Sequence, residues 1–113
     1  KSKADVISYM ENKYPKMTSE FKRIQKEQYE LFLRKQHDYG PQNIAVGTAL
    51  INDEDKRLSL MGIWFRINDK INRLKNLVVL GEPDTVGESI DDTLKDLSVY
   101  GIISQIVQQG KFK

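Results

Sequence analysis

Between residues 54 and 80 the chain carries Leu60, Ile63, Trp64, Ile67, Ile71, Leu74 and Val78, apolar side chains that recur every three or four residues. That period stacks them on one face of a helix. A helix of this length with a continuous apolar face has to be covered by other elements. The only strand-like stretch, Leu77 to Leu80, lies at the end of the same segment. Helices must therefore do the covering, and the expected fold class is all-α. The opposite face changes along its length, from Leu58, Met61 and Phe65 to Arg66, Asn68, Asp69, Asn72 and Arg73. A helix apolar on both sides at one end and on one side at the other enters a core and then lines a cleft. Gly81 stops it.

The remaining helices follow from the same periodicity. Val6, Ile7, Met10 and Tyr14 mark a short amphipathic helix or arm, which Pro15 ends because a residue before proline leaves the α region. Thr18 or Ser19 is placed to cap the next helix, with the stripe Phe21, Ile24, Gln28, Leu31 and Phe32. Asp38-Tyr39-Gly40-Pro41 closes it. Residues 42 to 53 read as a loop with a short helical turn. A last helix opens at Glu88 with Ile90, Leu94 and Leu97 and becomes almost wholly apolar through Val99, Ile102, Ile103, Ile106 and Val107. Gly110 ends it, leaving Lys111 to Lys113 to fray or to serve an assembly contact. The expectation is a single domain over residues 1–113, a helical bundle of three major helices plus a short N-terminal helix, with residues 1–16 as an arm. Segments 54–65 and 99–107 are apolar on more than one side, which predicts a homodimer or tetramer.

Composition removes several classes. Eighteen basic residues against sixteen acidic ones leave a net charge of +2, without the concentrated basic face that a nucleic acid polymer requires. No apolar run approaches the ~18 residues of a membrane span. Cysteine is absent, so neither disulfides nor thiolate metal sites arise, which fits a reducing, cytoplasmic setting. No signal peptide is visible, and the first residue is Lys1, so an N-terminal piece can be missing. The one histidine, His37, sits at a helix end, where it compensates the dipole more readily than it catalyses.

The carboxylates are distributed unusually. Glu88, Asp92 and Asp96 step by four residues, flanked by Asp91. The first helical turn favours negative charge, but Asp96 lies two turns further in, with Tyr100 and no basic residue at its i+4 position. A row of like charges gains nothing by itself and points to an external cation. Mg²⁺, a hard ion, takes carboxylate oxygens and keeps places for phosphate; a solvated acidic face is the plainer alternative. Glu27 falls inside the apolar stripe between Ile24 and Leu31, and Glu30 flanks it, so this E-x-x-E pair reads as carboxylates on an inward face; two surface glutamates paired with Lys26 or Arg34 are the alternative. Arg66 and Arg73 suit phosphate or carboxylate. Asp69 suits either the metal group or an arginine partner.

E-x-x-E on one helix with E-x-x-D on a later one resembles the metal signature of the MazG-like all-α nucleoside triphosphate pyrophosphohydrolases. More closely, the chain is similar to the phage and bacterial nucleotide-modification-associated domain, type 1, grouped with that superfamily. Three pieces carry the likeness: Lys35-x-x-Asp38-Tyr39-Gly40, Asp69-Lys70-x-x-Arg73-Leu74, and Glu88-Ser89-x-x-Asp92-Thr93-Leu94-x-Asp96-Leu97-x-x-Tyr100. They span about residues 20 to 106. The gap between Glu30 and Glu88 is longer than in typical MazG chains, and the second acidic motif aligns on Asp91, Asp92 or Asp96.

The resemblance implies a MazG-like bundle that cleaves a nucleotide between its α- and β-phosphates. The two pairs of the signature would be Glu27/Glu30 and Glu88/Asp91, with Asp92 as an alternative, and Glu27, Glu30, Glu88 and Asp92 would hold Mg²⁺ or Mn²⁺. Glu27 and Glu30 would act in catalysis with Lys70 and Arg73, which together with Lys35 would stabilise the departing pyrophosphate. Tyr39 and Asn43 would contact base or sugar, with Lys35, Asp38, Arg66 and Asp69 completing the substrate site. A bacterial or phage-infected cell would be the setting. Two other readings stay open: a module that captures a nucleotide without hydrolysing it, its carboxylates orienting basic side chains, and an assembly protein with a satisfied polar interior.

Overall fold

A computed structural model describes residues 1–113. The chain is all-helical: α1 (Lys3–Lys13), α2 (Pro15–Tyr39), α3 (Gln42–Ala45), α4 (Asp53–Leu74), a π-helical segment (Lys75–Val79) and α5 (Ile90–Gln108). The three major helices and the short N-terminal one lie where the periodicity placed them, and no strand forms at Leu77–Leu80. No helix is long and apolar enough to cross a membrane. The chain divides into two compact units, Lys1–Lys35 and Gln36–Lys113, with the division inside α2.

In the first unit, Ser2 and Asp5 form a capping box that opens α1. Pro15 does more than end that helix. It occupies the first position of α2, where its missing N–H is no loss, so a single residue, Tyr14, separates the two helices. Thr18 and Ser19 consequently do not cap α2. Their hydroxyls donate back to the Tyr14 and Pro15 carbonyls at 3.0 and 2.6 Å. Lys22 on α2 pairs with Glu11 on α1 at 2.6 Å.

The second unit is built on the antiparallel pair α4 and α5, the most extensively packed elements, with α3 against α4. Its core is Ile44, Ala45, Leu50, Ile63, Ile103, Val107 and Phe112. Ser59, buried on α4, donates to the Ile44 carbonyl at 2.6 Å and ties α3 down. The C-terminus does not fray. Gly110, in the left-handed region at φ 71°, lets its own N–H reach the Val107 carbonyl at 2.9 Å while the Lys111 N–H reaches Ile106 at 3.1 Å. This closing turn sends the chain back and buries Phe112 in the core.

Candidate functional site

Lys70 and Arg73 lie three residues apart on α4 and so share a face. Across from them run the loop 81–89 and the first turns of α5. Ser89 fixes that helix start, because its hydroxyl accepts the Asp92 N–H at 3.1 Å. The helix therefore begins at Ile90. Glu88 lies before the cap, outside the helical row in which the i+4 spacing had set it. From there its side chain turns toward α4.

Lys70 Nζ donates to Glu88 Oε1 at 3.0 Å and lies 3.0 Å from Asp96 Oδ2. These partners, Asp96 foremost, hold the Lys70 ammonium above the usual lysine value against the opposing effect of burial. Arg73 Nη2 stands 3.1 Å from Asp84 Oδ1 and donates to the Glu88 backbone carbonyl. Its Nε is 3.6 Å from Glu88 Oε2, too far for a hydrogen bond, and is buried without one. Asp84 also accepts the Val86 N–H at 3.1 Å. That backbone bond, followed by Arg73, lowers the Asp84 carboxyl below its ordinary value. Lys70 and Arg73 are only 21% and 19% exposed. The result is a half-buried lattice of two cations and three carboxylates, joining the second and third motif pieces of the sequence.

The other predicted residues take different places. Glu27, in the first unit, is not inward. Its carboxylate is 51% exposed and bonds Arg23 at 2.8 Å. Glu30 and Lys35 are exposed on the same helix. Asp38 is exposed, 3.3 Å from the His37 ring, and Tyr39 is exposed beside it. Asn43, on α3, accepts from Arg66 Nη2 through its backbone carbonyl at 3.4 Å, while its Oδ1 is buried without a hydrogen-bond partner. Asp69 is exposed on α4. Asp91 faces solvent and pairs with Lys95 at 3.2 Å, and Asp92 is exposed in the first turn of α5. No three carboxylate or imidazole groups gather closely enough to enclose a metal ion. Asp84 was missed in the sequence. Its signal is that of an aspartate whose side chain bonds the backbone two residues on, a turn-former after Pro83.

No protein-family model, curated protein or solved structure matches this chain.

Proposed function

We propose that the chain is a MazG-like, Mg²⁺-dependent nucleotide pyrophosphohydrolase whose phosphate site is the Lys70–Arg73 lattice. The observation that carries this reading is the meeting of Lys70 and Arg73 from one motif with Glu88 and Asp96 from another. Two cations of different geometry, a point-charge ammonium and a planar guanidinium, are set side by side and pre-oriented. That suits binding of a polyphosphate at two points. The lattice has one carboxylate in excess, so a polyphosphate alone would meet net negative charge. A divalent ion resolves this, and Glu88 and Asp96 are hard oxygen donors that already converge on a cation. Mg²⁺ binds through one or two carboxylates plus substrate phosphates, so these residues fit it, with Asp92 one turn before Asp96. When bound, the ion would neutralise phosphate charge and activate a water. Lys70, released from its carboxylates, would then follow the charge that develops on the leaving pyrophosphate, and Arg73 would fix the phosphate chain.

A second reading has its own support: Glu88 and Asp96 hold Lys70, and Asp84 and Glu88 hold Arg73, so the carboxylates already orient cations, as in a module that captures nucleotides without turnover. One experiment separates the two. A panel of nucleoside triphosphates is incubated with the protein and Mg²⁺, or with a chelator, and pyrophosphate and nucleoside monophosphate are quantified. Hydrolysis predicts both products in equal amounts with Mg²⁺ and none with chelator. Binding without products under either condition overturns the enzymatic reading in favour of capture.

A further inference from the structure

Immediately after Arg73 the helix leaves α geometry. Lys75–Val79 form a π-helical segment, a rare conformation that occurs frequently at functional sites. The Leu80 N–H reaches the Lys75 carbonyl five residues back, the bond that closes the segment, and the Glu82 N–H reaches the Asn76 carbonyl, both at 2.9 Å. Between the π-helical segment and residues 82–86 lies an open groove of about 480 Å³, with Arg73, Asn76, Leu77, Leu80, Pro83 and Val86 among its lining. That volume falls in the range of small-molecule sites, roughly 300–1,000 Å³. Leu80 and Val86 are 58% and 74% exposed.

We infer that this groove seats the nucleobase of the nucleotide whose phosphates Lys70 and Arg73 hold. The inference rests on the function proposed above and assigns the remaining half of the ligand. A nucleobase is a flat ring with apolar faces and a polar edge. The groove offers the complement: aliphatic walls for the faces, the Asn76 amide as both donor and acceptor for the edge, and the Thr85 hydroxyl nearby. Arg73 belongs both to this groove and to the charged lattice, so the two adjoin at one side chain, as a ligand anionic at one end and aromatic at the other requires. Asp84 links them mechanically, since its carboxylate bonds Arg73 and the backbone of Val86 together. Phosphate binding at Arg73 would compete with Asp84 and loosen the Val86 wall, coupling entry of the base to capture of the phosphates.

The test is a ¹⁵N NMR titration of the full chain with Mg²⁺ present, using nucleoside triphosphates and, separately, inorganic tripolyphosphate. Tripolyphosphate should shift resonances around Lys70 and Arg73. Nucleotides should also shift Asn76, Leu77, Leu80 and Val86, and should bind roughly tenfold more tightly, the equivalent of about 1.4 kcal/mol. Val86→Asn, a neutral change at an exposed position, should remove most of that advantage and leave tripolyphosphate affinity within about twofold. If nucleotides and tripolyphosphate bind alike, with residues 76–86 unmoved or Val86→Asn without effect, the groove assignment is overturned while the phosphate site stands. If neither ligand binds, the proposed function falls and the groove assignment falls with it.

Discussion

Replacing Lys70 with methionine keeps an unbranched side chain of similar length and removes the ammonium that two carboxylates share. Each N···O separation is 3.0 Å. Unit charges at that distance attract by about 5.5 kcal/mol at an effective dielectric of ~20 and by about 1.4 kcal/mol in bulk water. Desolvation and side-chain ordering offset much of this gross figure. Lys70, Glu88 and Asp96 are 21, 38 and 31% exposed, so the cluster falls between an exposed pair, worth roughly 0–1 kcal/mol, and a buried pair whose breaking costs about 3–5 kcal/mol. A loss of about 1.5–2.5 kcal/mol follows, or about 6–10 °C in Tm for a chain of this size. Urea unfolding at pH 7 of Lys70→Met, Asp96→Asn and the double variant measures it as a thermodynamic cycle. The expected coupling is at least about 1 kcal/mol.

The pH dependence of the same variant carries a sign. Folding raises the Lys70 pKa above its ordinary value of 10.5. A raised folded value gives stability that is complete below the unfolded value and is lost as pH climbs through the folded one. The gap between wild type and Lys70→Met should therefore stay level from about pH 7 to 9 and close above 10.5. A coupling below about 0.5 kcal/mol, or a gap that persists undiminished at alkaline pH, would refute the claim that Lys70 organises the site.

Asp84 acts at the other end of the scale. Its carboxyl is lowered from 3.8, so the stability it adds is present above that value and lost as pH falls through the lower folded value; acid unfolding followed by circular dichroism should be less steep for Asp84→Asn than for wild type. Gly110→Ala should cost about 2–3 kcal/mol in urea unfolding, because an L residue is strained there and its Cβ would stand 3.0 Å from the Leu50 carbonyl oxygen. Gly62→Ala, inside α4 with open space around it, should instead gain about 0.5–1 kcal/mol. The exposure of Leu58, Met61, Trp64 and Phe65 along α4 predicts a dimer or tetramer, and a monodisperse monomer at micromolar concentration in light scattering would count against it.

The helices were legible because long apolar repeats at a period of 3.6 dictate them whatever packs on them. Their starts were less so, since a start depends on which of several neighbouring residues wins the orphan N–H groups. Ser89, not Glu88, takes the Asp92 N–H, and Pro15 opens α2 where Thr18 and Ser19 competed for the role. Glu27 was misjudged for a related reason. Its place between Ile24 and Leu31 implies burial only if the stripe itself is buried, yet Phe21, Ile24 and Leu31 all remain exposed. On such a surface a glutamate one turn after Arg23 simply joins an i,i+4 ion pair.

Asp96 shows where sequence reasoning about charge stops. Along its own helix it has no basic neighbour at i+4, and the local rule that stabilises Asp91 through Lys95 offers it nothing. Its counter-charge comes instead from Lys70, 26 residues earlier on the facing helix, through a contact that no spacing rule encodes. The antiparallel packing of α4 on α5 creates that contact, and the apolar faces of those helices create the packing. A carboxylate that looks unsatisfied in sequence is thus explained by the core beneath it. Asp96 holds Lys70 from the helix side and Glu88 holds it from the loop side. The ammonium sits where α4 meets the segment that leads into α5, so its two carboxylates tie that segment and the facing helix to a single side chain.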